Sequence, residues 1–280
     1  MNLVQIARET IRVTKEKSYQ TEGETVFFPK KDYEEVLVIT PKMGENLLSW
    51  DIRENYREKH QEDDQKMRQA VSCEYEVINA DSFQAASRLQ NPLVMNFANA
   101  HVPGGGFLMG ATAQEEALCR CSTLYASIHS KMAAEMYHHN NTHLHPVESD
   151  YMLLSPNVLV FRNERCEFLK EPFSVGVITI PAPNRYGAAM FATGKMISDT
   201  MIRRIRIMLR LAAQKGYQDL VLGAWGCGAF GNDPGEVAGY FHQVLVDEGY
   251  GNCFRKVCFA VYGKENGKNI TAFRNVFQGK

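Results

Sequence analysis

The sequence predicts an α/β fold, a mixed or mainly parallel sheet with helices on both faces, and three observations carry that expectation. From Cys73 onward, short runs rich in Val, Ile and Leu alternate with segments of helical periodicity. Two glycine-rich turns each follow one of the strand-like runs. A length of 280 residues with 45% hydrophobic content is enough for one large α/β domain or two modest ones.

Taken in order, residues 1–70 are the most charged part of the chain. Ile6, Ile11 and Val13 give a weak helical stripe, and Asp51 to Gln69 is a polar stretch rich in Arg, Glu and Lys. This region is expected to supply helices and loops packed on a core spanning 71–280, the whole forming one structural domain. Strands are expected at Tyr75–Ile78, Leu93–Phe97, Val158–Phe161, Val175–Ile180, Leu220–Leu222 and Val257–Tyr262. Helices are expected at Glu115–Met132, Thr193–Lys215, Glu236–Asp247 and Ile270–Phe277. In such folds ligands settle at the carboxyl ends of the strands. The glycine turns after Asn96-Phe97-Ala98-Asn99 and after Leu220-Val221-Leu222-Gly223 are therefore expected on one rim.

Bulk composition narrows the function classes. A net charge of −1 and a pI near 6.7 argue against general nucleic-acid or acidic-membrane binding, which needs a clustered basic surplus. The seven cysteines are odd in number, scattered and without a C-x-x-C pair, as in a reduced, cytoplasmic protein. The N-terminus becomes charged too soon for a signal-peptide core, and no apolar run approaches the ~20 residues of a membrane span.

The chemistry concentrates in two loops. Gly104-Gly105-Gly106 precedes Gln114-Glu115-Glu116 by seven residues. Glycines let a backbone approach a ligand closely, and adjacent carboxylates at a helix start offer acid chemistry beside it. Thr112 and Glu115 also fit a capping box, which by itself would account for one carboxylate. At ~100° per residue both glutamates point away from the stripe of Leu118, Cys121, Leu124 and Ile128, as a solvated pair also would, whereas Gln114 lies near that stripe. The second loop holds glycines at 223, 226, 228 and 231, more than a simple turn requires. Successive N–H groups there can converge on a diphosphate, although the loop lacks the Lys-Ser/Thr ending of a Walker A motif and the dinucleotide spacing. Trp225 and Phe230 either pack in the core or wall the site. Cys227 has no neighbouring base and reads as a small apolar loop residue more readily than as a nucleophile. Four histidines lie between His138 and His145, with His139 and His143 spaced i, i+4, but no acid or cysteine completes a zinc pattern and the Asn140-Asn141 centre favours a polar loop.

Taken together, the Gly-Gly-Gly and Gln-Glu-Glu pairing resembles the signature of microbial-type poly(ADP-ribose) glycohydrolases, a branch of the macrodomain superfamily. Ala7-Arg8-Glu9-Thr10, Asn96-Phe97-Ala98-Asn99, Arg120-Cys121-Ser122, Ala182-Pro183-Asn184 and Trp225-Gly226-Cys227-Gly228-Ala229-Phe230-Gly231 extend the similarity over nearly the whole chain. The resemblance implies a three-layer α/β/α macrodomain-like mixed sheet with an N-terminal helical extension, binding the terminal ADP-ribose of a poly(ADP-ribose) chain. It implies that Gly226, Cys227, Gly228, Ala229, Phe230 and Gly231 hold the diphosphate, with Phe230 also packing on the distal ribose. Gly104, Gly105 and Gly106 would wrap that ribose, Asn99 would bond its hydroxyls, and Gln114 belongs to the same ligand site. Tyr262 is the expected adenine platform. Glu115 would hold ribose hydroxyls, and Glu116 would protonate the departing oxygen and then activate water. No metal or cofactor is implied, the substrate is poly(ADP-ribose) or ADP-ribosylated protein, the product is ADP-ribose, and a monomer is expected.

Glycosidic cleavage passes through an oxocarbenium-like state that a nearby diphosphate can stabilise while an acid protonates the leaving group. Ala224 stands where the animal enzymes tend to carry asparagine, and their tyrosine-bearing loop over the substrate has no evident counterpart, which favours removal of terminal units. Rival readings are a non-catalytic ADP-ribose-binding macrodomain, against which the retained glutamates argue, and a hydrolase removing single ADP-ribose units from protein or nucleobase.

Overall fold

The computed structural model describes residues 2–50 and 73–279. Its main sheet has seven strands in the order β3-β6-β7-β5-β8-β9-β4, with β3 Leu37–Ile39, β4 Glu74–Ile78, β5 Leu93–Ala98, β6 Met152–Arg162, β7 Phe168–Pro181, β8 Asp219–Leu222 and β9 Lys256–Ala260. From β7 to β4 every pairing is parallel, and β6 and β3 add two antiparallel strands at one edge. The sheet is thus mixed, as expected.

Strand alternation sends successive side chains to opposite faces and divides the core into two layers. Leu93, Met95, Ile178, Leu220, Leu222, Val257 and Phe259 face α2 (Pro41–Ser49), α7 (Gly194–Gln214), α8 (Pro234–His242) and α9 (Lys268–Phe277). Val94, Val177, Val221, Cys258 and Ala260 face α1 (Leu3–Glu16), α3 (Ser82–Ala86), α4 (Gln114–Cys121), α5 (Leu124–Ile128) and α6 (Ala134–Thr142). Apolar strands buried on both faces are what a helix–sheet–helix sandwich requires. Among the described residues, no helix is long and apolar enough to cross a membrane.

The expected helices of residues 1–70 are present as α1 and α2, but strands accompany them. A hairpin of β1 (Ser18–Thr21) and β2 (Glu24–Phe27) packs on β6 and β7 through Tyr19, whose ring stacks on Phe168 at 4.6 Å and whose hydroxyl donates to the Leu169 carbonyl. Strand β3 joins the main sheet itself. These strands are too short to show an alternating pattern in the sequence, and Asp51 to Gln69 lies outside the described residues.

Other expectations need correction. The single helix over Glu115–Met132 is broken at Ser122, which is extended at φ −149° and ψ 179°. There the backbone leaves the helix to bridge Val160, and the Thr123 N–H donates to the Leu159 carbonyl at 3.0 Å. The Ser122 hydroxyl repairs the break by donating to the Leu118 carbonyl and accepting from the Leu124 N–H. The helix expected over Glu236–Asp247 starts at Pro234, capped by Asp233, and its last turn, Gln243–Asp247, is π-helical. Tyr262 lies beyond β9, which ends at Ala260.

Arg204, fully buried on α7, ties the layers together. Its guanidinium donates to Asp150 and to the carbonyls of Pro181, Val147 and Ser149. An Arg204→Leu substitution leaves these buried acceptors short of a donor and is expected to cost about 3–5 kcal/mol, measured as a lowered urea midpoint with unchanged m-value.

Candidate active site

The site is assembled where β5 and β8 separate. These parallel strands pair only at Leu93–Leu220 and Val94–Val221, so the β8-facing edge of β5 is open beyond that point. The Gln114 side chain closes it. Its carbonyl accepts from the Phe97 N–H at 2.9 Å, and its amide donates to the Met95 carbonyl at 2.8 Å and the Ser82 hydroxyl at 3.1 Å. Gln114 therefore stands in for a strand and fixes the first turn of α4 at the sheet rim.

That placement buries both carboxylates. Glu115 and Glu116 are only 3% and 8% exposed, which excludes the solvated-pair reading. The capping box is absent as well: Ala113 is the N-cap and makes no side-chain cap bond. Instead the Glu115 carboxylate accepts from the Asn99 N–H at 2.8 Å and from Asn96 Nδ2 at 3.2 Å. Burial pushes the Glu115 carboxyl up to about 8, against those two donors and with the Glu116 charge adding to the rise. Glu116 Oε1 accepts from the Gly106 N–H at 2.9 Å, while its buried Oε2 has no hydrogen-bond partner among the described residues.

The glycine loop is shaped around these carboxylates. Gly105 has φ +53°, and a Cβ there would lie 2.5 Å from Glu116 Oε1. Any larger residue would be strained and would displace the carboxylate. Asn99 turns its Oδ1 to the N–H groups of His101 and Val102, a side-chain turn that launches the loop, and its side-chain NH₂ has no partner among the described residues.

Across the rim, the loop after β8 curls back on itself. Gly226 has φ +74°, with Asn232 Nδ2 and Ala182 Cβ where a Cβ would need to be, and its carbonyl accepts from the Asn232 N–H at 3.1 Å. The N–H groups of Gly228, Ala229 and Phe230 meet no acceptor among the described residues, so this turn presents consecutive open donors of the kind that hold a phosphate. Trp225 is core: it is fully buried and its Nε1 donates to the Ile180 carbonyl at 3.0 Å. Burial pushes the Cys227 thiol up to about 12, which leaves it unsuited to act as a nucleophile.

A cleft of about 660 Å³ runs along the Gln114 side of α4 and the loop after β8, with Phe97, Gln114, Gly228, Ala229, Phe230 and Tyr262 in its lining, whereas Asn99, Gly104–Gly106, Glu115 and Glu116 do not line it. Tyr262, 77% exposed, offers a ring face there. A larger cavity of about 960 Å³ contains none of the residues expected from sequence. Its Lys195 and Arg203 are already paired with Asp199 and Asp150, and its His139 and His143 rings stack on each other at 4.3 Å. The histidine-rich segment is not the expected loop: α6 runs through His138 and His139 to Thr142. Among the described residues no group of three or more His, Cys, Asp or Glu is placed to hold a metal ion.

Two parts of the site escape the sequence reading. Asn96, fully buried, bridges Glu115 and Thr179; the signal for it is an asparagine inside the otherwise apolar Leu93–Ala98 strand. Asp81 caps α3 at the cleft wall by accepting from the Phe83 and Gln84 N–H groups, and its signal is a capping residue directly after a strand.

Comparison with known proteins places this geometry. The model for the catalytic domain of microbial-type PARG matches residues 7–163. The solved poly(ADP-ribose) glycohydrolase (PARG) of Thermomonospora curvata is 33% identical, with 98% of this chain and 99% of that one aligned at a TM-score of 0.85. The same enzyme bound to the inhibitor ADP-HPD aligns at 0.84 over 98% of each chain. The Deinococcus radiodurans enzyme in complex with ADP-ribose is 36% identical over 88% of this chain and 96% of that one, with a TM-score of 0.76. No curated protein matches in sequence. Two glycine loops on one rim, the buried glutamate pair in the first turn of α4 and a family match over more than half of the chain lead to one assignment: this chain belongs to the microbial-type poly(ADP-ribose) glycohydrolase family.

Proposed function

We propose that this chain is a glycosidase that hydrolyses the ribose–ribose O-glycosidic bond at the end of poly(ADP-ribose) and releases ADP-ribose. The observation that carries the proposal is the Gln114-fixed helix start, which holds two buried glutamates on the same sheet rim as a loop of open N–H donors. The diphosphate lies on the Gly226–Gly231 loop, the adenine on Tyr262, and the distal ribose between Phe230 and the Gly104–Gly106 backbone. Relatives solved with ADP-ribose and with ADP-HPD support that ligand class.

The two glutamates divide the work. Both Glu115 oxygens are engaged, one by Asn99 and one by Asn96, so Glu115 orients ribose hydroxyls together with the Asn99 amide. Burial, which raises the Glu115 carboxyl to about 8, keeps a proton on the pair near neutral pH. Glu116 has the free oxygen. It donates its proton to the departing ribose oxygen as the C1–O bond breaks, the anionic diphosphate stabilises the oxocarbenium-like centre, and the resulting carboxylate takes a proton from the attacking water. Gln114 positions both carboxylates without touching the reacting atoms. The chain is taken to act as a monomer, and seven cysteines, odd in number and without a C-x-x-C pair, support a reducing, cytoplasmic setting.

The deciding experiment follows free ADP-ribose from poly(ADP-ribose) and from mono-ADP-ribosylated protein. The chain is expected to degrade the polymer, and Glu116→Ala to lose at least about 100-fold in rate. Polymer release that survives the substitution sinks the mechanism, and release from the monomeric mark alone reassigns the substrate.

Glu115→Gln is expected to retain more kcat than Glu116→Gln and to weaken ADP-ribose binding; equal inactivity with unchanged affinity contradicts the division. Because the folded pKa of Glu115 lies above its ordinary 4.5, the stability it contributes is fully present below about 4.5 and is lost as pH rises through about 8. Glu115→Gln should therefore raise the thermal midpoint at pH 9 more than at pH 5. Tyr262→Ala removes the adenine platform and is expected to weaken ADP-ribose about tenfold by calorimetry, with kcat on saturating polymer little changed.

A further inference from the structure

Helix α4 begins with the catalytic glutamates and ends with Cys121, whose thiol donates to the Asn163 carbonyl at 3.2 Å. The same carbonyl accepts from the Cys166 N–H at 2.9 Å, so both cysteines converge on one oxygen in the turn between β6 and β7. That turn is held firmly: Asn163 Oδ1 accepts from the N–H groups of Arg165 and Glu167, and Arg162 donates to the Cys166 carbonyl. Cys166 sits at φ +62°, a left-handed conformation uncommon for a residue with a side chain, and it is half-buried in the cleft wall alongside Cys121.

We propose that Cys166 and Cys121 form a peroxide-reactive thiol pair, which a hydroperoxide converts to a disulfide linking the end of the catalytic helix to the β6–β7 turn. The Cys166 thiolate attacks one peroxide oxygen, the O–O bond breaks, and Cys166 becomes a sulfenic acid as water or an alcohol leaves with the proton the thiol released. The Cys121 sulfur then attacks the Cys166 sulfur. An S–S bond forms, the S–O bond breaks, and the hydroxyl departs as water with the Cys121 proton. Two thiols together lose two electrons, and one peroxide gains them.

The order of events follows from the surroundings. Cys166, the more exposed of the two, is drawn down by the neighbouring Cys121 thiol, against its own burial and with help from Arg120 and Arg162. Cys121 is pushed well up by Cys166 and by burial, as suits a resolving thiol that attacks second. Four of the other cysteines, Cys73, Cys119, Cys253 and Cys258, are buried, and Cys227 is held high by burial.

The test treats the full chain with stoichiometric hydrogen peroxide, then measures intact mass and titrates thiols in denaturant. The expected product is lighter by about 2 Da, is restored by dithiothreitol, keeps five of the seven thiols and shows a Cys121–Cys166 cross-link on peptide mapping. Cys166→Ser should slow thiol loss at least about tenfold, and Cys121→Ser should stop at a sulfenic acid captured by dimedone. Seven surviving thiols, an oxygen adduct with no cross-link, or an unchanged cross-linked product in Cys166→Ser overturns the proposal. Cys166 lies in a partly exposed turn, so its variant carries the test even if Cys121→Ser fails to fold.

Discussion

The site depends on one side-chain amide acting as a strand. Parallel strands that diverge leave backbone donors and acceptors unpaired, and buried backbone groups without partners are costly. Gln114 satisfies the Phe97 N–H and the Met95 carbonyl where β8 has turned away. Because it is also the first residue of α4, the same bonds set where that helix starts and how it is oriented on the rim. Glu115 and Glu116 follow by geometry. A residue that could not present both an acceptor and a donor at this position would leave the edge of β5 open and the glutamates without a fixed origin.

Burying two adjacent carboxylates is unfavourable unless each has donors. The loop after β5 supplies them: the Asn99 N–H serves Glu115 and the Gly106 N–H serves Glu116. This explains why glycines must precede the acids. The backbone has to come within hydrogen-bonding distance of a carboxylate at a point where a Cβ at Gly105 would collide with it. The seven-residue interval between Gly106 and Gln114 holds a short 3₁₀ turn, Phe107–Met109, and brings the chain back so that its own N–H groups meet its own acids.

Motifs far apart in the chain meet around α4. Thr10 of α1 donates to the Arg120 carbonyl at 2.8 Å, Glu9 pairs with Arg162 at 2.6 Å, and the Arg120 guanidinium reaches back to the Ala111 carbonyl at 2.5 Å. Helix α1 thus braces α4 from outside the sheet, with Ala7 fully buried beneath it. The strap from Arg120 to Ala111 fixes the segment joining the glycine loop to α4. The N-terminal region thus helps to hold α4 in place, and its Leu3 lines the same cleft as the Gly226–Phe230 loop.

By itself, the sequence determined the fold class, most strands and the two loops that matter, because strand alternation, helical periodicity and glycine clusters are local properties written in neighbouring residues. The pairing of Gly104–Gly106 with Gln114–Glu116 was legible for the same reason. Only the tertiary structure decided that Glu115 and Glu116 are buried, since a helix's own apolar stripe does not reveal a loop folding over its opposite face. It also decided that Gln114 completes a strand, that Asn96 holds Glu115, and that Trp225 belongs to the core while Phe230 lines the cleft. It broke the long helix at Ser122 and brought Cys121 to Cys166, because both outcomes depend on where β6 passes, some 30 to 40 residues further along the chain. Such contacts are set by topology, and no local pattern encodes them.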